Sequence, residues 1–212
     1  MDKTGIRALI FDYGGVISNP QNLDAFQDIL LVPGIDENDF RDIYYAHRKN
    51  YDNGQLSGRE YWGQILQYVG LEAHESLVNN LIQADVKSWT QIDDSMVRFI
   101  AGTRAKVETL AIISNMIRDT LAYMQSHFEW LDLFDGQFYS CELGITKPDR
   151  RIFEYCLNRL EVSAHECLFV DDSEKNVHGA KNSGMHVIHY KSYPQFLHEL
   201  SEKYFLMGGL SS

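Results

Sequence analysis

The sequence predicts an α/β protein: a parallel sheet with crossover helices, interrupted early by a helical insertion. Three observations carry this. Short apolar runs recur and each ends on a polar residue: Ala8-Leu9-Ile10-Phe11 before Asp12, Leu110-Ala111-Ile112-Ile113 before Ser114-Asn115, and Cys167-Leu168-Phe169-Val170 before Asp171-Asp172. Such runs, bounded by turn residues, read as buried strands. Beyond residue 109, strand-like and helix-like segments alternate, the pattern of a parallel sheet. Between the first two strands lies an interval far longer than an ordinary loop of about 4–6 residues.

Residues 6–12 read as the first strand. The interval after it has helical periodicity. Leu23, Phe26, Ile29 and Leu30 recur at that spacing, as do Tyr61, Ile65, Leu66 and Val69. Ser57-Gly58-Arg59-Glu60 has the form of a capping box at the start of the second stretch. A further helix is expected over 73–86, and residues 95–105 return to the core. Strands are expected at 109–113, 137–139, 167–171 and 186–190, and helices at 117–127, 149–160, 174–183 and 194–203. The division expected is a Rossmann-like, three-layer α/β core at 1–18 and 91–212, with a helical cap domain at 19–90. The tail from Met207 is expected to fray.

The chain of 212 residues is long enough for one sizeable core with a subsidiary domain. Its net charge of −11 argues against nonspecific nucleic-acid binding, because the average field repels a polyanion. A small phosphorylated ligand is compatible, since a local cation, a metal and backbone amides can hold phosphate inside an acidic protein. Cys141, Cys156 and Cys167 are odd in number and lack metal-ligand spacing, so free thiols are expected. No run approaches the roughly 20 apolar residues of a membrane span. With no signal-like segment before the first strand, a cytoplasmic protein without membrane association is expected; oligomeric state is not legible.

The polar residues that close the runs form an ordered set. Asp12 is followed by Tyr13-Gly14-Gly15-Val16, then come Ser114-Asn115, Lys147 in Gly144-Ile145-Thr146-Lys147-Pro148, and Asp171-Asp172. A carboxylate, a hydroxyl, an ammonium and a carboxylate pair would all lie at the carboxyl edge of the sheet, where open α/β folds bind ligands. In order and spacing, this set resembles the haloacid dehalogenase-like superfamily, most of whose members are magnesium-dependent phosphatases. The resemblance spans residues 8–176. It implies a cap of the first type, and hydrolysis of a small phosphorylated metabolite, a sugar phosphate or similar, through an aspartyl-phosphate on Asp12. Ser114, Asn115 and Lys147 would bind the phosphoryl group. Asp12, the Gly14 carbonyl and Asp172 would hold Mg²⁺, with Asp171 and Asn176 orienting ligand or metal water. Backbone N–H groups of Tyr13 to Val16 and of Asn115 would complete the oxyanion site.

One departure matters. Phosphatases of that family carry Asp-x-Asp where this chain has Asp12-Tyr13-Gly14. The missing carboxyl would protonate the leaving oxygen, work worth about 10²–10⁴-fold. Three readings follow: a substrate whose leaving group needs little protonation, a replacement acid in the cap (His47, Tyr51 or Asp52), or a catalytically weak phospho-ligand binding or regulatory protein. Restoring the acid by Gly14→Asp is expected to raise turnover of alkyl phosphates more than of an aryl phosphate. A 2-haloacid dehalogenase, whose halide leaves unaided, is a minor alternative, disfavoured because two adjacent carboxylates without a cation would repel each other and the substrate.

Other side chains receive plain readings. Arg41 and Arg48 are expected to be solvated helix charges. Trp62, Tyr44, Tyr45 and Tyr68 are expected to pack the cap, and His74, His165 and His198 to lie on the surface.

Overall fold

A computed structural model describes residues 5–26 and 36–204. Its sheet orders five parallel strands as β3-β2-β1-β4-β5: β1 Ala8–Phe11, β2 Thr109–Ser114, β3 Gly136–Tyr139, β4 Cys167–Asp171 and β5 His186–His189. All four expected strands after the first are present, within one residue at each end. Central β1 is flanked by β2 and β4 in register, Leu9 opposite Leu110 and Leu168. Strand order reverses at β1, so the loops after β1, β2 and β4 open onto one crevice at the carboxyl edge.

The period-two alternation of side chains sorts each strand onto two buried faces. Leu9, Phe11, Leu110, Ile112, Leu168 and Val170 pack on one side with residues of three helices: α5 Asp94–Thr103, α6 Arg118–His127 and α10 Tyr193–Tyr204. Ala8, Ile10, Ala111, Ile113 and Phe169 pack on the other against Ile152, Phe153 and Cys156 of α8 Arg150–Leu160 and Ala180 of α9 Glu174–Asn182. Helices on both faces of a parallel sheet make the expected three layers. A short helix, α7 Ser140–Leu143, follows β3. All three cysteines are buried free thiols.

Between β1 and β2 lie α1 Glu37–Ala46, α2 Arg48–Asp52, α3 Gly58–Tyr68 and α4 Glu75–Ser88. The capping box starts α3: Ser57 accepts from the Glu60 amide and Glu60 accepts from the Ser57 amide. Phe26 closes a 3₁₀ turn at Leu23–Phe26, while Ile29 and Leu30 lie outside the described residues, as does the tail from Met207. The chain leaves and re-enters the core along paired segments: Asn19 N–H donates to Gln91 O (2.7 Å) and Asp93 N–H to Ile17 O (2.9 Å).

These helices enclose their own core, in which Phe26, Phe40, Tyr44, Tyr61 and Trp62 form a cluster of ring contacts. Tyr44 and Trp62 pack as expected. Tyr68 does not, being 72% exposed on the outer face of α3, while Tyr45, 49% exposed, packs edge-on against the Tyr44 ring and turns its open side to the cavity described below. Arg48 also departs from expectation. It is 8% exposed rather than solvated, and its Nη1 lies 2.7 Å from Asp85 Oδ2, its Nε 2.8 Å from Asp52 Oδ1. Tyr44 Oη bonds Asp85 Oδ1 (2.9 Å), accepts from Arg48, and lies under a guanidinium 4.7 Å from its ring centroid. His74, His165 and His198 are exposed, as expected.

Removing one partner from a buried charged pair leaves the other uncompensated, at a cost of about 3–5 kcal/mol. Arg48→Ala, which strands the fully buried Asp85, should therefore lower the urea unfolding free energy by about that amount, and far more than Arg59→Ala, whose pair with Glu75 is exposed.

Candidate active site

The loops after β1, β2 and β4 and the loop entering α8 converge on one cavity of about 690 Å³, roofed by α1, α2 and Trp89. Asp12 immediately follows β1 and is 7% exposed. Its Oδ1 accepts from the Tyr13 amide (2.7 Å) and sits 2.8 Å from Lys147 Nζ. Lys147 Nζ also donates to Asp171 Oδ2 at 2.6 Å and stands 5.4 Å over the Phe169 ring. The lysine is fully buried at its side chain, as is Asp171. Asp171 is further held by the Ser173 amide (2.8 Å) and by Asn176 Nδ2, 3.1 Å from each oxygen.

Asp172, next along β4, turns toward Asp12. Carboxylate oxygens of Asp12, Asp171 and Asp172 all lie within 4.8 Å of one another. Burial and the Asp171 charge push the Asp12 carboxyl well above its ordinary range, with Lys147 pulling the other way. Asp172 is raised by the same two causes. Burial lowers the Lys147 ammonium, but Asp12 and Asp171 outweigh it and hold the lysine charged. Three carboxylates thus face one ammonium, an imbalance a divalent cation would relieve, and an all-oxygen donor set suits a hard ion such as Mg²⁺. Gly15, at φ 72°, permits this approach: a Cβ there would lie 2.5 Å from Asp172 Oδ2.

Ser114 is buried at the end of β2, its Oγ only grazing the Asn115 carbonyl at 3.5 Å. The Asn115 side chain is engaged elsewhere, donating to Lys147 O (3.0 Å) and accepting from Lys147 N–H (2.8 Å). This two-way clasp fixes the lysine loop to β2, a role the sequence reading did not contain. An Asn after a strand and a Lys 32 positions later carry no local signal of it. Within the first loop, the amides of Tyr13, Gly15 and Val16 are engaged internally, with Asp12 Oδ1, Ser18 Oγ and Tyr13 O.

The space beside Gly14 is filled. A Cβ built there would meet the Trp89 ring at 3.0 Å, and the Trp89 carbonyl is fixed by a 2.7 Å bond from Tyr13 Oη. This revises the expectation for Gly14→Asp, since the carboxyl must first displace an indole. Overpacking of this kind costs about 1–3 kcal/mol. Gly14→Asp should lower the unfolding free energy by an amount in that range, and the double-mutant cycle with Trp89→Ala should show less than additive loss.

The described sequence matches the family described as haloacid dehalogenase-like hydrolase over residues 6–184. It is 28% identical over 193 residues to a sesquiterpene phosphatase of Aspergillus oryzae, covering 88% of this chain and 90% of that protein. It is 26% identical over 204 residues to a D-ribitol-5-phosphate phosphatase of Bacteroides thetaiotaomicron, covering 92% and 97%. Among solved structures, a haloacid dehalogenase family enzyme of B. thetaiotaomicron in complex with magnesium and inorganic phosphate superposes with TM-score 0.72 at 19% identity, covering 90% of this chain and 98% of that one. The L-2-haloacid dehalogenase of Xanthobacter autotrophicus does so with TM-score 0.65 at 22% identity, covering 93% and 83%. With the family match spanning most of its length, this chain belongs to the haloacid dehalogenase-like hydrolases.

Proposed function

We propose that this hydrolase is a magnesium-dependent phosphatase acting on a small phosphorylated metabolite, with Asp12 as nucleophile. The observation that carries the reading is the ammonium of Lys147 set between Asp12 and Asp171, with Asp172 beside them, at the floor of a cavity. Clustered carboxylates without a cation would repel each other and the haloacid anion of a dehalogenase, whereas a divalent cation bound beside a phosphate dianion would offset them. The Aspergillus oryzae and Bacteroides thetaiotaomicron relatives, each covered over nearly its whole length, are both named phosphatases, which favours the same side.

The residues divide the work by what each has left to offer. Asp12 Oδ1 is held by Lys147 and the Tyr13 amide, which leaves Oδ2 to attack phosphorus. Lys147 has three N–H donors and spends two on carboxylates, so one remains for a phosphoryl oxygen. The Ser114 hydroxyl supplies a second donor, and the Gly14 and Asn115 amides supply backbone donors. Asp171 is taken up by Lys147, Ser173 and Asn176, so it orients rather than binds. Asp12, the Gly14 carbonyl and Asp172 would then be the metal ligands. Bound there, Mg²⁺ would offset the negative charge of the phosphoryl oxygens and of the clustered carboxylates.

The helices between β1 and β2 act as a cap over this site in the proposal, with the boundary at 19–90. Their separate aromatic core and the paired crossing segments support it. Closure would exclude bulk water while the Asp12 ester forms.

Phosphate release from a panel of phosphorylated metabolites tests the reading. Wild type with Mg²⁺ should turn over at least one, and Asp12→Asn or chelation of the metal should each abolish it. A broad panel left untouched by folded, Mg²⁺-loaded wild type would favour a binding or regulatory role instead.

A further inference from the structure

A phosphatase that lacks a carboxyl at position 14 still has to protonate a poor leaving group, and with the Trp89 ring against Gly14 the proton must come from another wall of the cavity. The structure separates the three cap side chains that could supply it. His47 borders a shallow depression on the outer surface, beside Asp42 and Tyr68. Tyr51 directs its hydroxyl to Asp119 Oδ2 (3.1 Å) and is not among the described residues lining the cavity. Asp52 lines it.

Asp149, another carboxyl of the wall, is unsuited. It is bound by Arg151 at Nε and Nη2, and that guanidinium holds it down at about 2, so it has no proton to give at neutral pH. Asp52 is different because it shares one cation with a competitor. Arg48 reaches both Asp85 and Asp52, and one guanidinium neutralises one carboxylate. Asp85 has the stronger claim: it is fully buried and takes a second bond from Tyr44 Oη. Asp52 keeps 17% of its side chain exposed and, among the described residues, its carboxylate is held by the Nε contact alone. Its main chain is also tied to the phosphate side of the site. Ser140 Oγ donates to Asp52 O (2.6 Å) and accepts from the Met116 amide (2.9 Å), two residues past Ser114.

We propose that Asp52, a cap carboxyl lining the same cavity as Asp12, is the general acid and base that takes over the work of the absent carboxyl at position 14. The proposal rests on the phosphatase reading of Asp12. In the first step an Asp12 oxygen bonds to phosphorus as the P–O bond of the ester breaks. The electron pair goes to the leaving oxygen, which receives the Asp52 proton and departs as an alcohol. In the second step the Asp52 carboxylate takes a proton from the water that attacks phosphorus, and the Asp12–phosphorus bond breaks to release phosphate and a free Asp12.

Burial raises the Asp52 carboxyl and Asp85 adds to the rise, while Arg48 opposes it. The other groups facing it are Tyr44, Tyr45, Tyr61 and Cys141. A raised carboxyl stays protonated to higher pH, so the acid function is present below that value and is lost as pH rises through it.

The test compares kcat/KM for p-nitrophenyl phosphate, whose leaving group needs no proton, with that for glycerol phosphate, whose leaving group does. Asp52→Asn keeps an acceptor for Arg48 and should lower kcat/KM for glycerol phosphate ~10²-fold more than for the aryl ester. It should also remove the basic limb of the glycerol phosphate pH profile, and Asp52→Glu should recover part of the loss. An equal fall on both substrates, or an unchanged pH profile, overturns the assignment and leaves Asp52 a positioning residue. Aryl ester hydrolysis that still requires Asp12 and Mg²⁺ in Asp52→Asn keeps the phosphatase reading standing when the acid assignment falls; wild type inert toward both esters and toward the whole metabolite panel overturns both.

Discussion

The Lys147 ammonium is the interaction on which the site depends. It has no side-chain exposure, and it touches Asp12 from β1 and Asp171 from β4 at 2.8 and 2.6 Å. Its own backbone is clasped by Asn115 after β2. One cation thereby registers three loops that would otherwise present repelling carboxylates to one another. Burying a lysine costs several kcal/mol unless its charge is met at good geometry, and here two carboxylates meet it. The lysine is still outnumbered once Asp172 is counted, so the folded site retains a demand for positive charge.

That demand links fold to chemistry. The sheet is ordinary in its packing, with apolar residues alternating between two helix layers. What is specific is the reversal of strand order at β1, which places the ends of β1, β2 and β4 side by side. Gly15 then allows Asp172 to come close, and Gly14 allows Trp89 to. The two glycines have different reasons: the first is a positive φ against a carboxylate, the second a flat ring against a bare backbone.

Much of this was legible in the sequence, because buried parallel strands are short, continuous apolar runs and their terminal polar residues stand out. Cys167–Asp171 could be located to the residue and Ala8–Phe11 to within two, and the helix ends followed from periodicity and capping. Of the residues flagged at the strand ends, Asp12, Ser114, Asn115 and Asp172 line one cavity, and Asp171 lies behind it against Lys147. The sequence was silent where a side chain's partner is remote and its type is not diagnostic. Arg48 looked like a solvated helix charge because Asp85, which buries it, lies 37 positions away on another helix. Trp89 beside Gly14, and the Asn115 clasp on Lys147, are long-range contacts of the same kind. Tyr68 erred in the other direction, since an aromatic at helical spacing does not reveal which face of its helix is covered.

If Asp12 is the proposed nucleophile toward phosphorus, acid quench of the enzyme during turnover will trap it as a phosphoryl ester. Peptide mapping of protein stopped within the first turnovers should find one phosphoryl group on the peptide containing Asp12, absent when Mg²⁺ is chelated and discharged by hydroxylamine, as an acyl phosphate is. Sustained phosphate release with Asp12 unmodified at every quench time, or with the phosphoryl group on another residue, would contradict the account.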